Sequence, residues 1–142
     1  MRHPVRPLLA LGPLLAILAA APALPVDPTH WYGFNLMEKV DVGWHKNAPY
    51  REEDFALTAG FGFNYLRLPI DYRCYTASND WLAFREEILK HFDDAVAWAE
   101  KHRLHVSLGF HRAPGFCINP PLEAKNLWTT REAPDAFPAH WE

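Results

Sequence analysis

Gly62-Phe63-Asn64-Tyr65-Leu66-Arg67-Leu68-Pro69-Ile70 is the stretch from which the rest of the chain can be placed. Leu66, Leu68 and Ile70 point one way and Tyr65, Arg67 and Pro69 the other, the two-residue period of a strand. Its second face carries an arginine. A buried Arg is rare without a partner, so Arg67 implies a carboxylate nearby or a charged group that the face is built to meet. The first alternative makes it a structural ion pair, the second part of a site.

Working outward, Asp71 to Asp80 reads as a polar loop, with Asn79 or Asp80 available to cap a following helix. Phe84, Ile88, Phe92, Ala95, Val96 and Ala99 then recur at three- and four-residue spacing, an amphipathic helix, with Lys101, His102 and Arg103 at the end that favours cations. Leu104 to His111 is a third strand, with Val106, Leu108 and Phe110 on one face and His105, Ser107, Gly109 and His111 on the other. Upstream, Arg51 to Ala59 is a short helix whose first turn holds Glu52, Glu53 and Asp54, suited to the positive end of the helix dipole. Gly60 is placed to end it. Glu38 to Tyr50 is a loop, and Trp31 to Leu36 the first strand, with Tyr32, Phe34 and Leu36 opposite Trp31, Gly33 and Asn35. Beyond His111 comes an irregular Pro-rich stretch to Ala133, then the start of a helix over 136–142.

Strand, helix, strand, helix, strand implies parallel strands joined by right-handed crossovers. An open doubly wound sheet and a (β/α)8 barrel both begin this way. No G-x-G-x-x-G turn follows the first strand, and each strand has one aliphatic or aromatic face and one smaller or more polar face, so an α/β (β/α)8 TIM barrel is expected, incomplete, with about its first three βα units. Asn35, Arg67 and His111 fall on the inward faces. Catalytic groups of barrels are presented at the C-terminal ends of the strands. The plainer roles for these residues are an Asn that satisfies a turn and a His that caps its strand.

Composition narrows the class. The chain has 142 residues, is 49% hydrophobic and 14% aromatic, and carries a net charge of −3. It can build a core and lacks the basic face of a nucleic-acid binder. Arg2, His3 and Arg6, the apolar run Leu8 to Ala21, and Ala21-Pro22-Ala23 make up a secretory signal peptide. Residues 1–23 are thus expected to be cleaved, leaving 24–142 as a secreted domain, extracellular or periplasmic, with no membrane attachment; an uncleaved anchor is the alternative. In an oxidising compartment Cys74 and Cys117 are a candidate disulfide, against two buried free thiols. They match no metal-ligand pattern. Most of the aromatics serve a core; Trp44 and Trp128 are candidate platforms for sugar faces.

Several segments stand in a telling order: Gly33-Phe34-Asn35-Leu36, Glu53-Asp54-Phe55, Gly62 to Ile70, Trp98-Ala99-Glu100-Lys101-His102 and His111-Arg112-Ala113-Pro114-Gly115. Over residues 31–120 the chain resembles the N-terminal half of glycoside hydrolase family 5, the family of many cellulases and related β-glycanases. The resemblance implies a hydrolase of O-glycosyl bonds in β-glucan-type carbohydrate, working without a cofactor. Arg67 matches the family's strand-two Arg, which hydrogen-bonds the nucleophilic carboxylate. His111 matches the strand-three His that lines the subsite of the scissile sugar, and Asn119 in the following loop is expected to face the same cleft.

Retaining glycosidases use two carboxyl groups about 5–5.5 Å apart. The family's acid/base Glu follows an Asn at the end of strand four, and its nucleophile ends strand seven. This sequence contains no Asn-Glu pair, so no catalytic residue is assigned in it. Glu38, Asp41 and Asp71 follow strand ends but read as solvated loop carboxylates. The expectation is a fragment of a hydrolase, inactive alone; the alternatives are a carbohydrate-binding half-barrel without catalysis and another TIM-barrel enzyme. A whole barrel takes roughly 250 residues, and three strands leave edges unpaired. The isolated 24–142 chain is therefore expected to show no cooperative thermal transition in calorimetry; a sharp transition in the purified monomer would contradict this.

Overall fold

The computed structural model describes residues 30–77 and 80–141. The expected signal peptide (1–23), the lead-in to Thr29 and the helix cap assigned to Asn79 lie outside the described residues. The elements run β1 (Gly33–Asn35), α1 (Glu52–Gly60), β2 (Tyr65–Asp71), a 3-10 turn (Tyr72–Cys74), β3 (Thr76–Ala77), β4 (Asp80–Phe84), α2 (Glu86–Lys101), β5 (His105–Arg112), α3 (Glu132–Ala136) and a 3-10 turn (Phe137–His140).

β1, β2 and β5 form a parallel sheet with β2 in the middle. Asn35 lies level with Arg67, and Arg67 with Ser107. Pro69 pairs with Gly109, while Leu66, Leu68 and Ile70 pair with Val106, Leu108 and Phe110. The two faces read from the sequence are therefore the two faces of the sheet. Leu66, Leu68 and Ile70 are buried in a core with Phe55 of α1, Phe92, Ala95 and Ala99 of α2, Tyr50, Tyr72, Tyr75 and Leu104. The opposite face carries Trp31 stacked on Tyr65 and His105, with ring centroids 5.3 and 5.4 Å apart. Burial is deepest on the central strand. Phe34 on β1 and Leu108 on β5 remain exposed.

Both helices end in the same backbone device. After α1, Phe63 N–H donates to Thr58 O (3.2 Å) and Gly62 N–H to Ala59 O (2.9 Å). These paired bonds turn the chain through a left-handed residue. That residue is Gly62, at φ +84°, two positions past the Gly60 expected to stop the helix. After α2, Leu104 N–H donates to Ala99 O and Arg103 N–H to Glu100 O, with Arg103 itself at φ +58°. The Asn64 side chain accepts from Tyr32 N–H (2.7 Å) and donates to His30 O (2.9 Å), tying the chain before β1 to the start of β2.

Four local expectations are corrected. Asp71 to Asp80 is a 3-10 turn leading into an antiparallel hairpin of β3 and β4, since Tyr75, Thr76, Trp81 and Phe84 have core to fill. Phe84 belongs to that hairpin, and Arg85 rather than Asp80 precedes α2, without a side-chain cap. Val96 is exposed: the buried stripe of α2 narrows to Phe92, Ala95 and Ala99, the two alanines allowing close approach to α1 and β5. The last helix starts earlier, at Glu132.

β1 and β2 meet at Gly33, where an added Cβ would stand 1.6 Å from Tyr65 O. Gly33→Ala is expected to push the two strands apart and cost on the order of 3 kcal/mol, read as a lower urea midpoint of the full-length protein; an unchanged midpoint would contradict this pairing.

Candidate active site

Asn35 and Arg67 stand side by side on β1 and β2, level with Ser107, and His111 lies four residues farther along β5, near its C-terminal end. Arg67 lies half-buried in mid-strand, its guanidinium passing over Gly109, where Nε and Nη2 are each 3.9 Å from the position of an added Cβ. A side chain at 109 would crowd that path. Among the described residues Arg67 has no carboxylate partner, so the structural ion pair is not the arrangement seen here. Asn35 sits beside it in register and is exposed.

His111 falls at an irregularity where the register passes from Ile70–Phe110 to Asp71–Arg112. It lines a cavity of about 460 Å³ with Phe110, Ala113, Phe116 and Ile118. Asn119 returns from the loop to place its Nδ2 3.0 Å from His111 Nε2, so these two residues do come together. Trp44 and Trp128 are 89% and 77% exposed. Trp44 lies on the loop after β1 and stacks on His45 (6.3 Å), which pairs with Asp41 at 2.5 Å. Trp128 N–H donates to Asn126 Oδ1 at 2.8 Å. Cys74 and Cys117 are both buried free thiols, correcting the candidate disulfide. Cys74 Sγ lies 3.5 Å from Lys39 O and Asp41 O, and Cys117 Sγ 3.5 Å from His111 O, so each is held by its own loop. Burial pushes the Cys74 thiol up to about 12, which suppresses thiolate chemistry.

The carboxylates differ most from expectation. Asp71 is 1% exposed, with Arg73 at 2.5 Å and Arg112 Nε at 3.5 Å. Buried in this way it is no solvated loop acid. Glu38 has a buried, unpartnered Oε2, and burial raises its pKa. Sequence reasoning also missed Arg112, Glu123 and Tyr72. Arg112 pairs with Glu123, and Tyr72 O–H donates to Glu123 Oε2 at 2.8 Å. The available signal was Arg112 itself, next to His111 at a strand end. On the far side of this group, a cleft of about 1090 Å³ is lined by Tyr72, Arg73, Trp81, Arg85, Glu123 and Lys125.

Lys39 is a second unforeseen element. It is fully buried; its Nζ donates to Asn47 O (3.0 Å) and Asn47 Oδ1 (2.8 Å), and its carbonyl accepts from Asp71 N–H (2.7 Å). Asn47 Nδ2 and Arg85 Nη2 both donate to Cys74 O. The loop after β1 is thus braced against the end of β2. Among the described residues, no group of three or more His, Cys, Asp or Glu is arranged to hold a metal ion, and no helix is long and apolar enough to cross a membrane.

A cellulase (glycosyl hydrolase family 5) sequence profile matches residues 23–141. The chain is 46% identical over 71 residues to the probable glucan 1,3-beta-glucosidase A of Emericella nidulans, covering 50% of this chain and 17% of that protein. It is 38% identical over 96 residues to the sporulation-specific glucan 1,3-beta-glucosidase of Saccharomyces cerevisiae (65% and 21%), and 32% identical over 65 residues to endoglucanase C of Acetivibrio thermocellus (46% and 19%). A solved structure described as a glycoside hydrolase superposes with a TM-score of 0.67 at 31% identity, over 78% of this chain and 35% of that one. The chain spans about a fifth of the length of the curated relatives it matches. The three parallel strands are those of a (β/α)8 barrel, in part.

Burial lowers the Lys39 pKa from 10.5 to about 8. Between those values the unfolded chain binds a proton that the folded chain does not, so this term makes stability rise with pH. Cys74 opposes it above its ordinary 9.0. The wild type should therefore gain stability relative to Lys39→Met as pH rises from 8 to 9, before the Cys74 term sets in. Urea midpoints of the full-length protein at pH 7 to 9 measure it; parallel curves would contradict a buried Lys39.

Proposed function

Because the chain belongs to glycosyl hydrolase family 5, we propose that it supplies the N-terminal strands of a secreted hydrolase that cleaves β-glucan by a retaining, two-carboxylate mechanism. The observation that carries this reading is Arg67. It stands on the inward face, level with Asn35, with no carboxylate among the described residues to neutralise it. A planar guanidinium recognises a carboxylate through two parallel hydrogen bonds. An acidic nucleophile brought against Arg67 would be held ionised and in one orientation, as attack on an anomeric carbon requires. The relatives named as glucan glucosidases and an endoglucanase support β-glucan as the substrate class.

Around that centre, His111 and Asn119 offer polar ring and amide atoms to sugar hydroxyls. Trp44 and Trp128 present flat apolar faces of the kind on which a pyranose stacks. Residues 1–23 direct export and are removed. The 24–142 segment alone performs no turnover: Asp71 and Glu123 are engaged by Arg112 and Asp41 by His45. It needs no cofactor, since both chemical steps are displacements at carbon assisted by carboxyl groups.

The test is steady-state hydrolysis of linear β-1,3- and β-1,4-glucan oligosaccharides by the full-length protein recovered from the medium, whose N-terminus should be Leu24. Arg67→Ala and His111→Ala should each lower turnover, Arg67→Ala by roughly 100-fold or more, with folding intact. Wild-type rates in both variants would remove these assignments.

A further inference from the structure

Arg112 follows His111 at the end of β5 and is 3% exposed. Its guanidinium is nearly saturated. Nε faces Asp71 Oδ2 at 3.5 Å, Nη1 donates to Glu123 and to Pro121 O (2.9 Å), and Nη2 donates to Asn119 O (3.0 Å). Two of these acceptors are backbone carbonyls of the loop that leaves β5. That loop is irregular, and holding such a segment in one conformation costs backbone entropy. A buried charged fork that grips it at two points sets where Asn119 stands.

Asn119 is engaged three times. Its N–H reaches Cys117 Sγ (3.4 Å), its carbonyl accepts from Arg112, and its Nδ2 donates to His111 Nε2 (3.0 Å). An imidazole nitrogen that accepts carries no hydrogen, so neutral His111 keeps its proton on Nδ1. The opposite tautomer would set two N–H groups against each other. The route from Arg112 to the ring is therefore short: guanidinium, Asn119 carbonyl, Asn119 amide, His111 Nε2.

We propose that Arg112 is a positioning residue that, by fixing the Asn119 backbone, sets the tautomer and ring orientation of His111. Only the consequence for turnover rests on the hydrolase reading; the tautomer does not. Lysine at 112 would keep the positive charge between Asp71 and Glu123 but lacks the planar fork that spans two carbonyls.

The experiment uses full-length protein labelled with 15N-histidine, read by long-range proton–nitrogen correlation at neutral pH, with His111→Gln identifying the resonance. In the wild type His111 should be the Nδ1–H form. In Asn119→Ala and in Arg112→Lys the Nδ1–H form should cease to be the major one, with circular dichroism unchanged. Retention of that form in a folded Arg112→Lys protein overturns the proposal. So does an unfolded one, since Arg112 would then serve the fold rather than the ring. Hydrolysis kinetics on the same variants separate the two readings. A parallel fall in kcat with little change in KM supports both, whereas a switched tautomer with wild-type turnover keeps the relay and takes His111 out of the reaction.

Discussion

β2 has to satisfy a neighbour on each edge and a core on one face at the same time. Its hydrogen bonds run to β1 and β5, its Leu66 and Leu68 are completely buried, and Ile70 nearly so. Gly33 must be bare for β1 to approach it. Asn64, just before it, anchors the chain entering β1, and Asp71, at its end, receives Arg73 and Arg112. Helices α1 and α2 are placed by the outer face of this one strand, so the rim of the site is placed by it as well. A strand whose every residue is committed leaves its register no freedom to slip, and Arg67 is thereby fixed on the inward face.

The rim itself is held by buried charge. Asp71, Arg112, Arg73 and Glu123 compensate one another in a region with little water, with Tyr72 and the Trp81 indole completing the network. Buried ions of this kind contribute little net stability but penalise strongly the loss of any one partner. What the group provides is geometry: the loop after β5 is drawn back over its own root, and Asn119 is delivered to His111. On the other side of the rim, Lys39 and Asn47 do the same for the loop after β1, at the cost of keeping an ammonium dry. The polar loops at the mouth are thus less mobile than their composition implies, which suits a face that has to present groups in fixed positions.

The alternation of helix and strand and the core-facing Leu66, Leu68 and Ile70 of β2 were legible in the sequence, because period-two patterning survives wherever one face of a sheet is buried. Family resemblance led to the expectation that His111 and Asn119 face one cleft, and the structure shows the bond between them. Gly60 is the last residue of α1 as expected, but the left-handed turn after it falls on Gly62, because only the carbonyls left over by α1 decide which glycine takes it. The β3–β4 hairpin was read as loop because its strands are short and their pairing is set by aromatic residues reaching a core that no local pattern reveals.

By itself, then, the sequence determined the class of fold, its three parallel strands and which side chains of β2 face the core. These follow from local periodicity, which a strand or helix imposes on its own residues. Only the tertiary structure decided the fate of the charges and thiols: Asp71 buried rather than solvated, Cys74 and Cys117 apart, Lys39 enclosed, Arg112 at the hub of the rim. Such outcomes depend on which loops fold over which strand ends. A charged residue in a loop carries no mark in its neighbours along the chain to say whether water or a distant partner will receive it.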